Sequence, residues 1–118
     1  PLPEDEYGRL RYKQVLDLQP IDPGEVLDLG GLVFRFLDVP HTVLTYAMAI
    51  EHAGRKLVYT GDTAWHEPLV EFARDADLLL CEATLLQEEQ RSPGHLTGRQ
   101  AGELGRRAGV KRLLLTHL

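Results

Sequence analysis

The chain has 118 residues, of which 43% are hydrophobic, so we expect one globular domain with its own core rather than a disordered segment. The formal net charge of −5 argues against general nucleic-acid binding, which requires a basic surface. No apolar run reaches membrane-spanning length, and the single cysteine, Cys81, cannot form an internal disulfide. Both observations favour a cytoplasmic protein without a membrane partner.

The two ends of the chain are unusual for a natural domain. The chain starts at Pro1, its only methionine is Met48, and it stops one residue after His117, directly behind an apolar run. We interpret it as a piece of a longer protein that has further residues before Pro1 and after Leu118.

The first half of the chain predicts a β-meander, because its apolar residues alternate with polar ones. The turn residues Ala53-Gly54 connect the last two strands as a hairpin. The predicted strands are Tyr12–Leu18, Glu25–Leu29, Leu32–Val39, Thr45–Glu51 and Lys56–Thr60.

The second half of the chain changes to helical periodicity. Pro68 suits the first turn of one helix. Thr97 and Gln100 have the spacing of a capping box, which predicts a second helix that ends at Gly109. Two short, wholly apolar runs predict buried strands, namely Leu78–Cys81 and Leu113–Leu115.

This change of period predicts the fold class. We expect an α/β fold, of the mixed α+β kind, with a mixed sheet and helices on one face only. The other face of the sheet would then expose apolar surface or be covered by another chain.

Four of the predicted strands end within two residues of a histidine or an acid. These residues are His41, Asp62, Glu82 and His117. Each has a plain structural interpretation, such as a turn cap for Asp62, or, for Glu82, a carboxylate that accepts a hydrogen bond from Thr84 or a backbone amide. Sites in α/β sheets, however, form at the carboxyl ends of strands. Two histidines and one aspartate make a partial set of zinc ligands, and Glu82 with His95 suits proton transfer.

Five blocks follow one another in the second two-thirds of the chain: H-T-V-L-T-Y-A-M-A-I-E, K-L-V-Y-T-G-D-T, D-L-L-L-C-E-A-T, G-H-L-T and K-R-L-L-L-T-H-L. In this order they resemble the C-terminal half of metallo-β-lactamase-fold hydrolases, and within that superfamily most of all the ribonuclease Z branch. The resemblance implies that residues 1–118 are the C-terminal half of an αββα sandwich.

The resemblance also implies a role for each residue at a strand end. His41 is similar to a ligand of the first metal, Asp62 to the carboxylate that bridges two metals, and His117 to a ligand of the second. Glu82 and His95 resemble a proton-relay pair in which the histidine protonates the leaving oxygen. The implied cofactor is zinc, two ions per complete site, with manganese or iron as alternatives.

Three differences from the family pattern bear on function. Cys81 replaces the histidine of the H-E-A-T block, and Leu96 replaces the serine of the H-S-T block. The H-x-H-x-D-H motif, which supplies most of the other ligands, is absent from this chain and belongs to the N-terminal half. In tRNA-processing members a substrate-gripping arm is commonly inserted between the equivalents of His41 and Asp62, where this chain has only the Ala53-Gly54 hairpin.

We therefore expect the complete protein to be a ribonuclease Z-like phosphodiesterase that uses hydroxide activated at a dinuclear zinc site, and this chain alone to be inactive. The alternatives are a tRNA 3′-end endonuclease, a hydrolase of esters, thioesters or lactones, and a metal-free scaffold subunit. The expected partners are a phosphodiester or RNA substrate, the missing N-terminal half, and a second copy in a homodimer.

Overall fold

The computed structural model describes residues 17–85 and 94–118. Six strands in these residues form one sheet, and they lie in it in the order of the chain. The strands are β1 (Val26–Leu29), β2 (Leu32–Val39), β3 (Thr45–His52), β4 (Arg55–Tyr59), β5 (Leu78–Glu82) and β6 (Leu113–Thr116). The helix α1 (Pro68–Phe72) precedes β5, and the helix α2 (Gly98–Ala108) precedes β6. The strand predicted at Tyr12–Leu18 lies largely outside the described residues.

The sheet is antiparallel in its first part and parallel in its last. Strands β1 to β4 form the predicted meander, whereas β4, β5 and β6 are parallel because a helix returns the chain between them. Two reversals of direction make β2 parallel to β4 as well. The carboxyl ends of β2, β4, β5 and β6 therefore lie along a single edge of the sheet.

The two helices cover one face of the sheet, as the change of period predicted. Alternate residues of the central strands are buried there under Leu69 of α1 and Leu104 of α2. These strand residues are Ala47, Ala49, Val58, Leu79 and Cys81. The helix α2 begins at the predicted capping box of Thr97 and Gln100 and ends at Gly109, whose φ of 67° is left-handed. Such a cap contributes about 1 kcal/mol to stability.

The opposite face of the sheet is apolar and only half-buried. The strand register aligns two rows of apolar side chains across this face, which we call the open face. One row contains Phe34, Ile50, Leu57 and Leu78, and the other contains Phe36, Met48, Tyr59, Leu80 and Leu114. Helices on one face and an exposed apolar surface on the other are thus both confirmed for the described residues.

The burial predicted for the last strand is wrong. Strand β6 exposes Leu114 by 55%, and Leu113 and Leu115 by 37% and 38%. It lies at the edge of the sheet, so it has a neighbour on one side only, and the open face is uncovered. In β5, by contrast, Leu79 and Cys81 are fully buried beneath the helices. An apolar run in the sequence therefore predicts a strand, but it does not predict that the described residues cover both of its faces.

We propose that the open face is the contact surface for the N-terminal half of the domain. Met48→Asp should weaken the association of separately produced halves by about 100-fold, because a buried unpaired charge costs about 3 kcal/mol or more. Calorimetric titration of the two halves measures this effect.

A matched control lies on the helical side of the molecule. Glu71→Ala changes an exposed residue of α1 and should leave the association unchanged. Without the other half, residues 1–118 should form homodimers or larger aggregates through the open face. Equal affinity of Met48→Asp and the wild type would place the contact elsewhere.

Candidate functional site

The edge at which β2, β4, β5 and β6 end carries the candidate site. Each of these strands leads to a histidine or an acid of the candidate site, which is either its last residue or lies within three residues after it. The four residues are His41, Asp62, Glu82 and His117. A fifth, His95, joins them from the loop that precedes α2. Sequence reasoning placed the four strand-end residues at this edge and paired His95 with Glu82.

Gly61 allows the chain to turn from β4 into Asp62. Its φ is +62°, and a Cβ built on it would lie 2.9 Å from the carbonyl oxygen of Tyr46 and 3.0 Å from Cγ2 of Thr45. The distance to the Tyr46 oxygen is too short for a real Cβ and the distance to Thr45 is very tight, so the close approach to β3 and the positive φ both favour glycine here.

The carboxylate of Glu82 is buried at the centre of the site and accepts three hydrogen bonds. Its Oε1 accepts from the backbone N–H of Thr63 at 2.8 Å and from Nδ1 of His95 at 2.9 Å. Its Oε2 accepts from the backbone N–H of Thr84 at 3.1 Å. The sequence left two interpretations of Glu82 open, a structural hydrogen bond with Thr84 or a backbone amide and a contact with His95. The structure shows both. One buried carboxylate joins the loop that follows β4 to both ends of the connection between β5 and α2.

The hydrogen bonds also decide the charge of Glu82. Burial alone would raise the pKa of this carboxyl, but the hydrogen bonds from the backbone N–H groups of Thr63 and Thr84 and from His95 lower it more. Because the folded pKa is depressed, Glu82 contributes stability above its unfolded pKa of about 4.3. This contribution is lost as the pH falls through the lower folded pKa.

An ionised carboxylate only accepts hydrogen bonds, so the tautomer of His95 follows from its contact with Glu82. Nδ1 of His95 carries a proton, which it donates to Glu82. The other ring nitrogen, Nε2, then holds either a lone pair or the second proton of an imidazolium ion. His95 is therefore suited to bind a cation or to give up a proton.

Asp62, His95 and His117 form a cluster in which one ligand atom of each lies within 4.8 Å of the others. Nδ1 of His117 is 3.3 Å from Oδ1 of Asp62 and 2.8 Å from the hydroxyl oxygen of Thr84. The rings of His95 and His117 have centroids 5.5 Å apart. The pKa of the nearby Tyr59 hydroxyl is raised, mainly by burial and in addition by the negative charges of Asp62 and Glu82. The electrostatic field around the cluster is therefore negative.

His41 lies beside this cluster. Its ring centroid is 5.0 Å from that of His95, and its Nδ1 is 2.8 Å from the carbonyl oxygen of Gly94. Sequence reasoning grouped His41 with Asp62 and His117 as ligands and kept His95 apart. The structure brings all four to one edge and places His95 nearer to the other two.

These residues fit a zinc ion by their chemistry. Zinc takes imidazole nitrogens and carboxylate oxygens, which Asp62 and the three histidines offer. A zinc-binding histidine usually donates its other ring N–H to a carboxylate or a backbone carbonyl. Glu82 provides that acceptor for His95, and Gly94 provides it for His41.

Three residues of the site were missed as contributors by sequence reasoning. Thr63 and Gly94 had no assigned role, and Thr84 was considered only as a partner of Glu82. All three stand inside blocks that the sequence singled out: Thr63 follows Asp62, Gly94 precedes His95, and Thr84 lies two residues after Glu82. Adjacency to a candidate residue was the available signal.

Comparisons with known proteins agree with this fold. A model of the family described as "Beta-lactamase superfamily domain" matches residues 4–118. The probable metallo-hydrolase YhfI of Bacillus subtilis is 33% identical over 115 residues, which are 97% of this chain and 47% of the relative. The crystal structure of YhfI, a metallo-beta-lactamase fold protein, matches with a TM-score of 0.78 and 35% identity, covering 83% of this chain and 41% of that one.

A ribonuclease Z of Halorubrum lacusprofundi is 48% identical over 68 residues, which are 55% of this chain and 22% of the relative. The chain thus spans about half the length, or less, of the curated relatives it matches. Within the described residues, no helix is long and apolar enough to cross a membrane. The match to residues 4–118 and the likeness to YhfI show that this chain belongs to the beta-lactamase superfamily and has the metallo-beta-lactamase fold.

Proposed function

We propose that the complete protein is a metal-dependent phosphodiesterase of the ribonuclease Z type, and that this chain provides one half of its active site. The observation that carries the proposal is the contact of buried Glu82 with His95 directly beside Asp62 and His117. The match to a ribonuclease Z supports the same reaction class.

In this proposal His41, Asp62 and His117 would hold the metal ions of this half, and Asp62 would serve as a ligand of both. Zinc is the metal we propose, and manganese or iron are the alternatives. When bound, the two ions lower the pKa of a water molecule and neutralise charge on the phosphodiester oxygens. The chain itself holds these three side chains in place through Gly61, through the hydroxyl of Thr84 and through the carbonyl of Gly94.

His95 acts as the general acid in this proposal. Oε1 of Glu82 accepts a hydrogen bond from the Nδ1–H group, which fixes the orientation of the ring and leaves Nε2 free to carry the proton that is donated. The proton on Nε2 is then transferred to the leaving oxygen as its bond to phosphorus breaks, and the electron pair of that bond stays with the oxygen. The ring returns to the neutral form with its remaining proton still held by Glu82.

The hairpin between β3 and β4 favours a small phosphodiester over tRNA. Its two turn residues, Ala53 and Gly54, have φ values of 47° and 71°, which fit the tight turn of a two-residue hairpin. Residues 41–62 are all described by the structure, and no arm that could grip RNA is inserted among them. The net charge of −5 points in the same direction, because phosphate backbones bind to basic surfaces.

Metal analysis of the complete protein tests the proposal. We expect about two zinc ions per molecule and hydrolysis of bis(p-nitrophenyl) phosphate that a chelator abolishes and added zinc restores. Residues 1–118 alone should be inactive. Cleavage of pre-tRNA would favour the tRNA 3′-end endonuclease, and turnover of esters, thioesters or lactones without phosphodiester cleavage would favour those hydrolases. A protein that binds no metal would be a scaffold, and the proposal would be wrong.

A further inference from the structure

Gly94 makes two close approaches to His41 that point to a role for this residue. Its carbonyl oxygen lies 2.8 Å from Nδ1 of the His41 ring. Its φ is +101°, and a Cβ built on it would lie 2.6 Å from the same Nδ1 and 3.3 Å from Cα of His41. The backbone conformation and the lack of space each require glycine, and the two reasons are independent.

We propose that Gly94 is a positioning residue that fixes the tautomer and the orientation of His41. A carbonyl oxygen only accepts hydrogen bonds, so Nδ1 of His41 must carry the proton. The lone pair then lies on Nε2, which is the nitrogen left to bind a cation. The role in metal binding rests on the proposed function of His41, whereas the tautomer follows from the contact alone.

Gly94 also couples His41 to His95. Gly94 and His95 are adjacent in the chain, so the 94–95 segment is held at one end by His41 and at the other by Glu82. The rings of His41 and His95 are 5.0 Å apart at their centroids. A displacement of Gly94 would therefore move a proposed metal ligand and the proposed general acid together.

The tautomer of His41 in the wild-type protein is the first test, and it needs no variant. Long-range ¹H–¹⁵N spectra of the metal-free protein, recorded about two pH units above the ordinary imidazole pKa of about 6.5, distinguish the two neutral tautomers. We expect His41 to be protonated on Nδ1, whereas an unconstrained histidine prefers the proton on Nε2. Finding His41 protonated on Nε2 would overturn the proposal.

Gly94→Ala and Gly98→Ala form a matched pair for the second test. Gly98 opens α2 four residues later and has no positive φ, and a Cβ built on it would meet no described atom within 4 Å. Gly94→Ala should shift His41 towards the Nε2-protonated form and weaken zinc binding by roughly 10- to 100-fold, the usual effect of losing a residue that orients a ligand. Gly98→Ala should change neither quantity.

The outcomes separate this proposal from the proposed function. Gly94→Ala with the wild-type tautomer and zinc affinity would overturn the positioning role, and if this variant fails to fold, the wild-type spectrum decides alone. A wild-type protein with the expected tautomer but no affinity for zinc would refute the phosphodiesterase. The role of the Gly94 carbonyl in fixing the tautomer of His41 would still hold in that case.

Discussion

Asp62→Ala in the complete protein should lower the content of both zinc ions and reduce kcat/KM by on the order of 10³-fold or more. Because Asp62 is proposed to be a ligand of both ions, its loss would remove a ligand from each. The loss of about 4 kcal/mol of charge stabilisation corresponds to this factor. Metal analysis and zinc titration of the purified variant measure the stoichiometry and the affinity.

Asp75→Asn is the control, because it also removes one negative charge but does so away from the site. Asp75 precedes β5 and therefore lies at the edge of the sheet opposite the site, and its φ of 55° suits asparagine. This variant should keep both ions and full activity. If Asp62→Ala binds zinc with unchanged stoichiometry and affinity, the bridging role is wrong.

His95→Ala should lower turnover by about 10²- to 10⁴-fold on a phosphodiester with an alkoxide leaving group. It should matter much less on bis(p-nitrophenyl) phosphate, because p-nitrophenolate needs little protonation to leave. Zinc content should stay the same, since His95 is proposed to donate a proton rather than to bind metal. The comparison of kcat on the two substrates measures the effect.

The geometry of the cluster also allows a second role for His95, that of a metal ligand. His95 lies within 4.8 Å of Asp62 and His117, so it is also placed to be a ligand. Equal losses on both substrates together with a loss of zinc would show that it is one. His52→Ala is the control, because His52 ends β3 at the far edge of the sheet, where its Nδ1 lies 2.9 Å from the carbonyl oxygen of Gly31.

Local patterns in the sequence predicted the elements of this fold. The alternation in the meander, the position of Pro68 and the capping box at Thr97 are all properties of a few neighbouring residues, and the structure agrees with them. The edge that carries the site was predictable for a related reason. Parallel strands bring their carboxyl ends together whatever the side chains are.

The contacts inside the site could not be predicted in this way. His41 and Gly94 are 53 residues apart in sequence, and Thr84 and His117 are 33 apart. Their pairing depends on how segments that are distant in the sequence converge at one edge of the sheet. The prediction that β6 is buried was wrong for a similar reason. The apolar character of Leu113–Leu115 does not indicate which other residues, if any, cover the strand.

The burial of Glu82 has a consequence for how the centre responds to a cation. Its three hydrogen bonds tie the loops around the site to a side chain that belongs to the interior of the fold. The centre is thus pre-organised: the ordering of these loops, about 1–2 kcal/mol of entropy per residue, is completed when the sheet folds. Binding of a metal ion would then cost little further conformational entropy in these loops. Hydrogen exchange of the backbone amides of Thr63 and Thr84 should therefore be slow with or without zinc.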